Sequence, residues 1–134
     1  MKKDILFPPV EGVFIAVAKI NIEGDQSIWN VYLINENEYV IHDITIRSKG
    51  YGQREGKQQL TSTLRHHLKE LGPKTNIIIE PIEPEVFHLN NEYWISYYVG
   101  KQIFDKKFIF VPESIIDNNV IFIPQLELYG ILHS

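Results

Sequence analysis

With 134 residues and a mass of 15.7 kDa the chain is one domain long, and its 44% hydrophobic and 22% charged residues exclude disordered and fibrous classes. It holds no cysteine, which excludes disulfides, zinc–thiolate sites and iron–sulfur clusters. A formal charge of −4 argues against coating a polyanion over the whole surface but leaves room for a local basic patch.

The apolar run after Lys3 is interrupted by Asp4 and stopped by Pro8-Pro9. It falls short of the ~7–15 residues of a secretory h-region, so a cytoplasmic protein is expected. The longest apolar run, Val13 to Ala18, is far below the ~20 residues that span a bilayer, and no membrane partner is expected. Two-residue alternation then dominates. Between Val13 and Ile22 one face reads Phe14, Ala16, Ala18, Ile20, Ile22 and the other Val13, Ile15, Val17, Lys19, Asn21. Gly24-Asp25-Gln26-Ser27 reads as a turn into a run with Trp29, Val31 and Leu33 on one face. A third run sets Val40, His42, Ile44 and Ile46 on one face, and the three together predict an antiparallel meander.

Leu60, Leu64, Leu68 and Leu71 share a helical face and Gly72-Pro73 is a stop signal, while Thr61 and Thr63 also suit a strand. Residues 61–71 therefore stand open between a short helix and a strand. Ile77-Ile78-Ile79 predicts a strand punctuated by Pro81 and Pro84. Tyr93, Ile95, Tyr97 and Val99 alternate with Trp94, Ser96 and Tyr98, and Gly100-Lys101 closes a hairpin onto Phe104, Phe108 and Phe110. A short strand from Val120 to Ile123 precedes a tail of scattered leucines. Strands at intervals near ten residues predict a mostly β, antiparallel two-layer β-sandwich, immunoglobulin-like, as a single domain over 1–134. Trp29, Leu33, Ile44, Ile79, Ile95 and Phe108 are its expected core.

Catalytic and metal-binding motifs do not emerge. Gly50, Gly52 and Gly56 lack the spacing and the following hydroxyl of a phosphate-binding loop. Adjacent His66 and His67 project differently and lack the i, i+4 pairing of a helical zinc site. There is no Gly-x-Ser-x-Gly elbow, and Glu80, Glu83 and Glu85 read as a solvated edge beside Pro81 and Pro84. No catalytic residue, metal or cofactor is assigned. The strongest asymmetry is electrostatic: Arg47, Lys49, Arg54, Lys57, Arg65 and Lys69 are opposed within their stretch only by Glu55. Read as a glycine-containing loop, this stretch could hold phosphate by charge and by exposed N–H groups, or simply keep a sheet edge soluble.

Trp29-Asn30-Val31-Tyr32-Leu33-Ile34-Asn35, Ser48-Lys49-Gly50-Tyr51, Ser62-Thr63-Leu64-Arg65-His66, Leu89-Asn90-Asn91-Glu92-Tyr93 and Asp105-Lys106-Lys107-Phe108-Ile109-Phe110, with the opening Lys2-Lys3-Asp4-Ile5, resemble a family of short uncharacterised bacterial proteins. Some members carry a label relating them to phenylalanyl-tRNA synthetase. The resemblance implies no catalytic residues, and the ATP-gripping arginines of a class II synthetase core are absent here. What the label would imply is an accessory domain that touches tRNA. Two readings follow. The first is a non-enzymatic protein-interaction or structural module, docking a protein partner or a second copy through a sheet edge or the aromatic hairpin. The alternative is an RNA- or phosphate-binding accessory protein using Arg47, Lys49, Arg54, Lys57, Arg65 and Lys69.

Overall fold

In a computed structural model, which describes residues 7–22 and 26–134, the chain folds as two antiparallel sheets packed face to face. Strands β1 (Val13–Ile22) and β2 (Gln26–Asn35) pair along their whole length. The expected turn at Gly24 and Asp25 lies outside the described residues. The third run, β3 (Ile41–Arg54), does not extend this hairpin into a meander; it crosses to the other sheet. Asn35 fixes that crossing. Its buried amide donates to Tyr39 O (3.0 Å), Leu71 O (3.2 Å) and Gly72 O (3.0 Å), tying the outward crossover to the one that returns.

Residues 64–71 settle as a strand. β4 (Lys57–Leu60) and β5 (Leu64–Leu71) share one edge of β3, β4 on Tyr51–Arg54 and β5 on Ile41–Ser48. The ladder that a 14-residue β3 offers outweighs a leucine stripe of barely three turns, and tertiary pairing overrides weak propensity. Thr61 spans the break: its N–H donates to Gly50 O (2.9 Å) and its Oγ1 accepts from Gly50 N–H (2.7 Å).

After β6 (Thr75–Pro81) returns to the first sheet, β7 (Asn90–Val99) and β8 (Gln102–Phe110) form the aromatic hairpin on the second. Gly100, at φ 58°, fills the first central position of its turn, where a II′ hairpin calls for glycine. β9 (Ile121–Ile123) and β10 (Leu128–His133) complete the first sheet, so the leucine-rich tail is itself a strand beside β1. The sheets run β6-β2-β1-β10-β9 and β4-β3-β7-β8, with β5 also on β3. These orders differ from the four-plus-three arrangement of a constant-type immunoglobulin domain, so the sandwich is defined by its own connectivity.

Ile15, Val17, Val31 and Leu33 meet Ile44, Ile46, Tyr93, Ile95, Tyr97 and Phe108 in one core. Of the expected core residues, Leu33, Ile44, Ile95 and Phe108 are fully buried, whereas Trp29 and Ile79 pack at the margin. β1 is covered on both faces, because Ala16 and Ala18 pack with Tyr32, Ile34 and Ile123 on the far side. His42 departs from the expected alternation. A bulge, with Asp43 at φ 48°, turns it outward while Ile41 and Ile44 stay in the core. Among the described residues no helix is long and apolar enough to cross a membrane.

Candidate functional site

On the outward face of the second sheet, residues from four strands align in rows. Register places Arg65 of β5 opposite Arg47 of β3, Arg47 opposite Trp94 of β7, and Trp94 opposite Lys107 of β8. The neighbouring row sets Lys49 against Glu92, and the next sets Thr45 against Ser96 and Asp105. Trp94 organises the face. Its Nε1–H donates to both carboxylate oxygens of Asp105 (3.0 and 2.9 Å), which Ser96 Oγ also approaches. Arg47 Cζ lies 4.3 Å and Lys107 Nζ 4.6 Å from the indole centroid, one from each adjoining strand. Held over the ring, these charged groups lose little freedom on the sheet face.

Glu92 lies beneath, its side chain only 8% exposed, with Lys49 at 4.0 Å, Lys107 at 3.9 Å and Tyr51 O–H donating at 3.3 Å. Burial and the Glu92 charge together hold the Tyr51 hydroxyl above its ordinary range. Arg47 and Arg65 have no such neighbour: among the described residues, neither has a carboxylate within 4 Å. Between them and Ser48, Lys49, Thr63, Glu92 and Trp94 is a depression of about 120 Å³, with the Glu92 carboxylate drawn to Lys49 and Lys107.

The six expected cations are therefore only partly brought together. Arg47, Lys49 and Arg65 converge. Arg54 and Lys57 pair at the tip of the β3–β4 hairpin on the opposite face, where Arg54 lines a groove with Glu85 and Glu113. Lys69 lies towards the far end of β5. The stretch is not a loop but an antiparallel set of strands, and its alternation divides the charges between two faces. Sequence reasoning missed Lys107, although the two-residue turn at Gly100-Lys101 already pairs it with Trp94.

A second constellation occupies the open seam between the sheets. Glu80 of β6, read from sequence as solvated, has a side chain only 11% exposed. It reaches across to the other sheet, accepting from Ser48 Oγ of β3 (2.9 and 3.1 Å) and Tyr93 O–H of β7 (3.3 Å) and meeting His66 Nε2 of β5 at 2.7 Å. Burial first, and then the Glu80 charge, push the Tyr93 hydroxyl far above its usual range, so it stays a donor. The carboxylate stands between serine and histidine, unlike a catalytic triad, in which histidine contacts the nucleophile. His67, the neighbour of His66, faces outward beside Thr45.

No protein-family model, curated protein or solved structure matches the chain.

Proposed function

We propose that the protein is a non-enzymatic binding module that docks a phosphate-bearing strand, single-stranded RNA, on the outward face of β5-β3-β7-β8. The observation that carries this reading is the register pair Arg47–Arg65, neither of which, among the described residues, has a carboxylate within 4 Å, because Glu92 nearby is taken by Lys49 and Lys107. Like charges directly opposite one another destabilise a sheet pair, and an incoming phosphate removes that repulsion while taking up two guanidinium forks. Lys107 extends the positive surface along the row and Lys49 along the neighbouring one, both within 4.0 Å of Glu92. Asp105 is held by Trp94 and Ser96 and Glu92 by Lys49 and Lys107, so these two carboxylates on this face are already engaged.

Edge-on docking of a protein partner has less support. β9 is three residues long, β6 ends at Pro81, and β4 and β5 break one edge of β3. On β8, Lys106 lies half-buried with Nζ 4.8 Å from the Phe108 ring, a charge at the rim of the interior. Each of these features opposes strand addition. The aromatic hairpin commits Tyr93 and Tyr97 to the core, and Trp94 is already flanked by cations. A tRNA-touching accessory role, as the family resemblance implies, is served by the same face, in the cytoplasm as the apolar run cut short at Pro8-Pro9 suggests. Fluorescence anisotropy with a labelled single-stranded RNA at low salt tests the proposal. The paired change Arg47→Gln, Arg65→Gln is expected to weaken binding by about tenfold or more, the loss of two charge-assisted contacts. Arg54→Gln with Lys57→Gln should leave it nearly unchanged, and equal losses from both pairs would refute the assignment of the face.

A further inference from the structure

The seam below Glu80 holds a cleft of about 330 Å³, within the size range of small-ligand sites, about 300–1,000 Å³. Its walls are Leu64, Pro81, Ile82 and Val86, and its polar end is formed by Glu80, Ser48 and Tyr93. We propose that this cleft binds a primary ammonium group carried on a short apolar chain. The inference is independent of the RNA-binding face and rests on three features of the seam.

A carboxylate with so little exposure is costly unless a cation accompanies it. Among the described residues His66 is the only basic group within 4 Å of Glu80; Ser48 and Tyr93 contribute neutral hydroxyls. Three donor groups also leave room on a carboxylate, which offers about four lone-pair positions. The rim deepens the negative character, since Glu83 lies there and Lys49, the other charged rim residue, is turned towards Glu92. The third feature is apolar: Leu64, 48% exposed at the mouth, is a large side chain that methylene groups would cover. The break between β4 and β5 is what opens this mouth, because Thr61 and Ser62 cross it as a connection rather than as a paired strand.

The test is a chemical-shift titration of the isotope-labelled full chain with pentylamine, and with pentan-1-ol as the neutral probe of equal length. Pentylamine is expected to shift the amides of Ser48, Gly50, Ile82 and Asn91 saturably, with a dissociation constant on the order of 1 mM for so small a probe. Pentan-1-ol should bind about tenfold more weakly, because it brings no charge to the carboxylate. Glu80→Gln should weaken pentylamine about tenfold or more. Leu64→Lys, an exposed change that leaves the contacts of Glu80 with Ser48, His66 and Tyr93 intact, should do the same by placing its own ammonium over the mouth. Nα-Acetyl-lysine amide, whose side-chain ammonium is free, separates the sources as a third probe: binding matching pentylamine assigns the cleft to a lysine side chain of a peptide, and weaker binding to a free amine. Equal shifts from pentan-1-ol, or pentylamine binding untouched by Leu64→Lys, would overturn the proposal. Arg47→Gln with Arg65→Gln should leave pentylamine binding unchanged, so failure here is distinguishable from failure of the RNA reading.

Discussion

Asp43 takes φ 48° in the bulge of β3, a conformation that aspartate tolerates better than most residues, and the shift carries His42 to the surface. There its ring stacks on Tyr98 at 5.8 Å, with Nδ1 2.6 Å from Asp43 Oδ2 and Nε2 2.9 Å from Gly100 O. The bond to Asp43, then the one to the Gly100 carbonyl, raise its pKa above the usual 6.5. A group whose pKa is raised on folding contributes stability below its unfolded value and loses it as pH climbs through the folded one. His42→Gln should therefore lower the melting temperature more at pH values below about 6 than at pH values above the folded midpoint of His42, where the imidazole is neutral in both the folded and the unfolded chain. An NMR titration placing the His42 midpoint at or below 6.5 would contradict this. Gly130 is constrained differently: a Cβ there would lie 2.3 Å from Val17 O and 2.6 Å from Ala18 Cα. These are backbone atoms of a paired strand with nowhere to move, so Gly130→Ala should cost at least about 1–3 kcal/mol in denaturant unfolding.

Thr61 is the point on which the broken edge of β3 depends, since both Gly50 backbone groups on that side are satisfied by it. Thr61→Val keeps the shape but removes the acceptor for Gly50 N–H, and should cost about 1–3 kcal/mol, the penalty for stranding a buried donor. A loss below about 0.5 kcal/mol would mean that water replaces the hydroxyl. The β7–β8 hairpin was legible in the sequence because a two-residue glycine turn fixes register outright, so Trp94 and Lys107 are partners by counting alone. The pairings β3–β7 and β3–β5 were not. Nothing local connects Arg47 with Trp94, which are 47 positions apart by numbering and brought together only in the sheet. Leu64, Leu68 and Leu71 fit a helical stripe, yet Leu64, His66 and Leu68 also alternate as a strand, and tertiary pairing with β3 decided between them. Glu80 was misread for a similar reason. Pro81 marks an edge, but an edge strand of a sandwich still turns alternate side chains towards the seam.

Across the whole molecule the charge is unevenly spread. Six cations opposed by Glu55 lie between positions 47 and 69, while the other seven Lys and Arg are outnumbered by sixteen Asp and Glu. Folding refines this asymmetry, sending Arg54 and Lys57 to one face and recruiting Lys107 from a different part of the chain to the other. Cations gathered on one face act together on a polyanion, and each phosphate they engage releases condensed counterions. The most direct measurement of this claim is the salt dependence of RNA binding. Four engaged cations, Arg47, Lys49, Arg65 and Lys107, give a slope of log K against log salt of about −3 at about −0.7 per contact on a single strand. Arg47→Gln with Arg65→Gln should bring it to about −1.4, while Arg54→Gln with Lys57→Gln should leave it near −3. A slope that fell equally for both pairs, or an RNA that failed to bind even at low salt, would contradict the account.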